Sequence, residues 1–399
     1  MICESIPPSS LLARVAIGLV GCALGTAAMA ATPNIKTVGT VSHLTIPDAA
    51  LRKADSNDYV NARALPMPNS QYISEEEVTQ NLIGVLSAPA TIQTKLPVVV
   101  PGRDGDGTLS PLFLGKPARA AADDGGVGTM EFGTSNTPFS TARADGYTGS
   151  TNQIYPFRAA GKVFFNIGSG TFICTASLIG KGLIVTAAHC VSEFGTNTFY
   201  SNFQYIPGYK NGAAPYGKWA AKDIFVINSY LNGSDQCSQR GVTCKNDVAV
   251  VVVAPQGTKL PGTATGWFGY GYDGTGFTGS GRTHITQLGY PACLDNGAIM
   301  ERNDSEGVKT ASYVNNTIIG TLMCQGSSGG PWIINFGKRP NLTDQSNGSG
   351  NLQNAVVGVT SWGPTDRGPK YSGASPFLKT NIETLVTAAC KAYPANCAN

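Results

Sequence analysis

From Phe139 to the C-terminus the apolar positions fall in short runs separated by Gly, Asn and Pro. KVFFNI (162–167), TFICTASLI (171–179), GLIVTAA (182–188), VAVVVV (248–253) and AVVGVTSW (355–362) are rich in β-branched and aromatic residues. Such runs, bounded by turn residues, read as buried strands. A period of 3.6 is sustained only near the end. There TNIETLVTAACKAY puts Ile382, Leu385, Val386 and Ala389 on one face, with Thr380 or Asn381 as cap, and predicts a helix over about 380–392. Strands followed by one terminal helix predict an all-β fold, either two small barrels or a pair of packed sheets.

Residues 31–138 follow a different pattern. Four aromatics (Tyr59, Tyr72, Phe113, Phe132), no Trp and no Cys occur there, too few large apolar groups to bury much core. One short helix is predicted to start at Ser74, with Glu75 to Glu77 in its first turn. PGRDGDG (101–107) and ARAAADDGG (118–126) read as exposed linker. A poorly structured propeptide over 31–138, or a loosely folded accessory domain, fits this composition. The polar tract RPNLTDQSNGSGNLQN (339–354) reads as a surface loop.

Upstream, Arg14 precedes the apolar run VAIGLVGCALGTAAMA, which ends in Ala28-Met29-Ala30. This is the layout of a secretory signal peptide over 1–30, cut after Ala30. LVGC at 19–22 also has the form of a short lipoprotein box on Cys22. Eight cysteines lie beyond that point, and an even number in an exported chain reads as disulfides. Proximity suggests Cys237–Cys244 and Cys390–Cys397. The remaining four would then pair as Cys174–Cys190 and Cys293–Cys324, although sequence does not fix connectivity. No C-x-x-C pair occurs and there are three His, so a zinc site is disfavoured. A net charge of +3 provides no strong basic field for nucleic acid. Charged residues make up 13% of the chain, so the polar surface must come largely from Ser, Thr, Asn, Gln and Gly, which suits an extracellular β protein.

MCQGSSGGPW (323–332) offers Ser328 as a candidate nucleophile in a Gly-rich turn. A serine nucleophile needs a base that titrates near neutrality. His43 lies in the 31–138 region and His284 sits in GRTHITQLGYP without notable neighbours. His189 emerges from an apolar strand beside Cys190. Asp247, at the start of an apolar strand in KNDVAVVVV, is costly to bury without a partner. A His Nδ1–H would be such a partner.

TAAHC (186–190), NDVAV (246–250), GSSGGP (326–331) and SWG (361–363) occur in the chain order His, Asp, Ser. Together they resemble the signatures of chymotrypsin-like serine peptidases. TNQIYPFRAAGKVFF and QLGYP resemble the bacterial secreted, glutamyl-endopeptidase-like branch, and the resemblance covers roughly 150–390. It implies two six-stranded antiparallel β-barrels over about 155–255 and 262–380, within a peptidase domain spanning 139–399. It also implies a triad of His189 (base), Asp247 (orienting acid) and Ser328 (nucleophile). The backbone N–H groups of Gly326 and Ser328 would form the oxyanion hole, and Ser361, Trp362 and Gly363 would pair with extended substrate.

Three positions depart from the family. Ser327 stands where the animal digestive enzymes carry an Asp that receives the new N-terminal ammonium. Activation is therefore expected to proceed by removal of the propeptide, through a cut somewhere in 115–150. Leu322 stands at the base of the specificity pocket in place of an acidic residue; with Met323 it suggests an apolar preference. Thr360 replaces the His that glutamyl endopeptidases place before the segment matching Ser361.

The expected function is a secreted serine endopeptidase made as a precursor. It would act as a monomer, with peptides or proteins as substrates and its own propeptide as partner, without cofactor or metal. Two alternatives are a catalytically silent binding protein on the same fold and an esterase-type hydrolase. The chain order and the absence of βα alternation oppose the esterase.

Overall fold

The computed structural model describes residues 34–51, 58–70, 98–117, 138–146, 149–337, 353–364 and 370–397. The leader, the helix predicted at Ser74, the ARAAADDGG stretch and nearly all of the 339–354 loop lie outside them.

Six antiparallel strands close the first barrel: Ala160–Ile167, Gly170–Leu178, Leu183–Thr186, Ser201–Pro207, Trp219–Ile227 and Ala249–Val253. The ring closes where Ala249–Val253 pairs with Leu183–Thr186 on one side and Trp219–Ile227 on the other. The second barrel repeats this plan with Arg282–Gly289, Glu301–Lys309, Thr317–Gly320, Pro331–Ile334, Ala355–Pro364 and Tyr371–Ala374. It closes through pairing of Pro331–Ile334 with both Arg282–Gly289 and Ala355–Pro364. Closure gives every barrel strand a neighbour on both sides over part of its length, while stretches that run past those neighbours keep an open edge. It also explains the continuous apolar runs: Val248 to Val253 are all buried, because the strand faces the barrel interior on one side and packed neighbours on the other. Of the two architectures the pattern allowed, the chain forms barrels.

The helix predicted at about 380–392 is present as a wide turn over Lys379–Glu383 followed by Thr384–Ala392. Ile382, Leu385, Val386 and Ala389 are the buried face. Asn381 Oδ1 accepts from the Leu378 and Ile382 N–H groups. Beyond the helix, Asn396 Nδ2 donates to the Gly182 and Val253 carbonyls, tying the C-terminus to the first barrel.

The described residues of the 31–138 region are more ordered than composition suggests. Asn34–Val38 and Val41–Thr45 form a hairpin on Trp219–Ile227. Val98–Val100 pairs with the Gly269–Tyr272 strand, and short pairs at 63–64 and 69–70 lie on Gly170–Leu178 and Ala355–Pro364. PGRDGDG is a strap rather than a free linker. Arg103 and Trp267 exchange backbone hydrogen bonds, and Arg158 Nη2 donates to Asp104 and the Gly105 carbonyl. Gly102 and Gly105 permit this approach, since a Cβ on either would collide with the facing backbone at Gly269 or Gly266. Existing sheets supply the backbone partners, so few large side chains are needed to hold the segment.

Candidate active site

The three expected residues come from different elements. His189 lies in a single turn, Ala188–Cys190, directly after the Leu183–Thr186 strand. Cys190 is bridged to Cys174 on the neighbouring strand, which pins that strand end. Asp247 is 2% exposed just before Ala249–Val253. One carboxylate oxygen accepts the His189 backbone N–H at 2.8 Å, and the other accepts Nδ1–H at 2.8 Å. The Ser361 hydroxyl donates to that second oxygen at 2.6 Å. Three donors thus offset the burial of one charge, as a buried carboxylate requires. The charge is felt nearby: burial, Glu193 and Asp247 together push the Tyr200 phenol up to about 12.

Asn246 fixes the approach to Asp247. Its backbone N–H and its Nδ2 both donate to Asp235, and its Oδ1 accepts from Asn381. Asp235 was not singled out from the sequence; its signal is an acid two residues before Cys237, just outside the loop closed by Cys237–Cys244.

Ser328 is fully buried in the turn that opens the Pro331–Ile334 strand. The turn is stitched between the barrels. Thr175 N–H donates to the Ser328 carbonyl at 2.7 Å, Gly329 N–H to Thr360 at 2.7 Å, and Thr175 Oγ1 to Gly326 at 2.8 Å. Gly329 has φ of +75°, and a Cβ there would collide with the Thr186 hydroxyl and the Thr175 carbonyl. Only glycine suits both constraints. Gly326, at φ +94°, turns the chain so that its N–H and that of Ser328 remain free of partners among the described residues. His189 Nε2 and Ser328 Oγ are both buried without a hydrogen-bond partner. The structure therefore joins His189 to Asp247 and brings Ser328 between the barrels, with no direct Ser–His bond.

Ser327 does not pair with a charge; its hydroxyl donates to the Cys324 carbonyl at 2.7 Å. Leu322 is half-buried and Met323 buried. Behind them runs a closed polar chain. Thr321 Oγ1 donates to Gln287 Oε1, and Thr360 Oγ1 accepts from both Gln287 Nε2 and Trp332 Nε1. Thr360 was expected among the substrate-binding groups; here its hydroxyl is committed to the interior, because these neighbours need an acceptor. Trp362 lies flat behind Gly373, where a Cβ would strike the indole, and its Nε1 donates to Asn316. All four expected disulfides are present: Cys174–Cys190, Cys237–Cys244, Cys293–Cys324 and Cys390–Cys397. Of the other histidines, His43 bonds to Asp223 at 3.0 Å and His284 is exposed on a strand.

Residues 148–381, more than half of the chain, match the trypsin family. The chain belongs to the trypsin family. It is 26% identical over 137 residues to a glutamyl endopeptidase of Bacillus licheniformis, covering 34% of this chain and 37% of that protein. Similarity to an extracellular metalloprotease of Bacillus subtilis is 24% over 123 residues, covering 30% and 35%. The chain thus spans about a third of the length of the curated relatives it matches. Among solved structures it is similar to a thermostable serine protease, AL20, from an extremophilic microorganism. That match has a TM-score of 0.48 and 23% identity, covering 59% of this chain and 97% of the other.

Proposed function

We propose that this trypsin-family peptidase is a serine endopeptidase acting through an acyl-enzyme on Ser328. The observation that carries the reading is the double hydrogen bond from His189 to Asp247. It holds the imidazole with Nδ1–H toward the carboxylate and leaves Nε2 as the free base.

Ser328 Oγ attacks the scissile carbonyl while its proton passes to His189 Nε2. The tetrahedral oxyanion is met by the Gly326 and Ser328 N–H groups, each such donor contributing on the order of 3 kcal/mol to the transition state. Collapse breaks the C–N bond, and His189 returns the proton to the departing amine. Water, activated by the same imidazole, then hydrolyses the ester and regenerates Ser328. Asp247 stays ionised and stabilises the imidazolium. Extended substrate would pair with Ser361, Trp362 and Gly363. Leu322 and Met323 offer a cationic side chain no counter-charge, which supports an apolar preference.

The same reading makes the chain an exported precursor whose 31–138 region is removed by a cut within 115–150. Four disulfides support the exported compartment, and the Ser327 bond to Cys324 leaves no acid at that position to receive a new N-terminus. The test is labelling of the processed protein by a serine-directed fluorophosphonate beside Ser328→Ala, with casein hydrolysis in parallel and N-terminal sequencing. Both signals are expected to vanish in the variant. A folded, processed protein that takes no label would move the silent binding protein to the front, and full activity in a chain starting near Ala31 would overturn the maturation.

A further inference from the structure

The segment Leu65-Pro66-Met67-Pro68-Asn69-Ser70 touches the peptidase fold on both sides of Ser328. On one side, Leu65 N–H donates to the Ile173 carbonyl at 3.1 Å, and Arg63–Ala64 pairs in parallel with Phe172–Ile173. Ile173 lies two residues before Thr175, whose N–H holds the Ser328 carbonyl. On the other side, Gly363 N–H donates to the Pro68 carbonyl at 3.1 Å, and Asn69–Ser70 pairs in parallel with Gly363–Pro364. Leu65 and Met67 are 7% and 6% exposed, whereas Pro66 and Asn69 face solvent. A Cβ on Gly363 would meet the Met67 sulfur at 3.0 Å.

We infer that residues 65–70 occupy the substrate groove of the uncut chain in the direction opposite to a substrate, and so inhibit it. The inference rests on the reading of Ser328 and the 361–363 edge given above. The acyl half of a substrate must run N to C along that edge toward Ser328. The edge strand itself runs outward from Ser361, whose hydroxyl touches Asp247, to Pro364. A segment paired in parallel with it therefore heads away from Ser328 as it goes N to C. Leu65 sits on the leaving-group side and Pro68 on the acyl side, so the backbone between them is presented back to front. Its carbonyls and amides are exchanged relative to a substrate, and the oxyanion donors face no carbonyl in register for attack.

The local sequence suits this role. Proline at 66 and 68 fixes φ near −65° and biases the residue before it to extended backbone, so Leu-Pro-Met-Pro enters the groove already straightened. Neither proline has an N–H to satisfy. The alternate residues Leu65 and Met67 carry the buried side chains and Leu65 supplies the donor, while the Pro68 carbonyl supplies the acceptor. Backbone pairing with a sheet edge gives affinity and alternate side chains give selectivity.

The test uses the full chain, wild type and Leu65→Asp/Met67→Asp, exposed to a fluorophosphonate probe with the labelled residue identified by mass spectrometry. The same two chains carrying Ser328→Ala, unable to cut themselves, are followed by amide exchange. Ser328 is expected to label at least tenfold faster in the double variant, and its Gly363 amide to exchange at least tenfold faster. A Pro66→Gly/Pro68→Gly chain, which loosens the segment but keeps its buried side chains, should show a smaller gain in labelling. Equal labelling of Ser328 in all three chains overturns the inhibition and leaves the nucleophile standing. No labelling in any chain overturns the catalytic reading instead; exchange then judges occupancy alone, and an unprotected Gly363 amide in the Ser328→Ala chain overturns it. Cuts made by Ser328 within 65–70 overturn the reversed direction.

Discussion

Asp247 accepts three hydrogen bonds, from the His189 backbone, the His189 ring and Ser361. Its role is separable from its fold contribution by Asp247→Asn. The amide keeps an oxygen for the backbone N–H but turns an NH₂ toward Nδ1. His189 must then accept at Nδ1 and carry its proton on Nε2, where it cannot take one from Ser328. A fall in kcat of about 10⁴-fold is expected, with KM much less affected. Steady-state kinetics on a peptide anilide would check this, and a loss under about tenfold would mean that another group orients the imidazole.

The Glu301–Lys309 strand begins with a carboxyl that is buried and has one oxygen without a partner. Burial, then the neighbouring Asp295, push the Glu301 acid up to about 8, against the pull of Arg143 on the adjoining Phe139–Arg143 strand. In the unfolded chain the same group ionises near its ordinary value of 4.5. Between these values the folded state holds the proton that the unfolded state has lost, so stability from this group falls as pH rises. Glu301→Gln removes that dependence. Its melting temperature should gain on wild type by a few degrees between about pH 5 and pH 8, measured by calorimetry across that range. A constant difference would show that Glu301 ionises normally.

Lys162 belongs to the first barrel, yet its Nζ donates to the Gly297 carbonyl in the loop leading into Glu301–Lys309 of the second, at 2.7 Å, over the Tyr209 ring. One carbonyl satisfies one of three donors, and desolvation lowers its pKa from the ordinary 10.5 to about 7. The unfolded chain therefore binds more protons between those values, and stability rises with pH there. Below about pH 7 the cost of the buried charge is fully present. Lys162→Met should accordingly raise the melting temperature most near pH 6 and progressively less toward pH 9. A shift independent of pH would assign the lysine to packing alone. Interfaces of this kind join the barrels around the site. Thr175 reaches the Ser328 turn, Tyr290 OH reaches Tyr209, and Ser361 reaches Asp247.

Periodicity and composition made the strands and the terminal helix legible, and chemistry beside those strands made His189, Asp247 and Ser328 candidates. Those features are local: an apolar run, a 3.6-residue stripe, or a chemically demanding residue beside a strand carries its own signal. Four short motifs in order then narrowed the fold to two barrels. What lay beyond the sequence depends on which backbones meet. That the Thr360 hydroxyl accepts from Gln287 and Trp332 is one example. PGRDGDG read as exposed linker and the 31–138 region as too poor in large apolar groups to be held, because a sheet edge contributes hydrogen bonds that composition does not record. Leu65-Pro66-Met67-Pro68 carried only a hint of extended backbone. Its contacts with the Gly170–Leu178 and Ala355–Pro364 strands, and its direction along them, were decided by tertiary structure alone, since strand polarity depends on which edge a segment joins and not on its own residues.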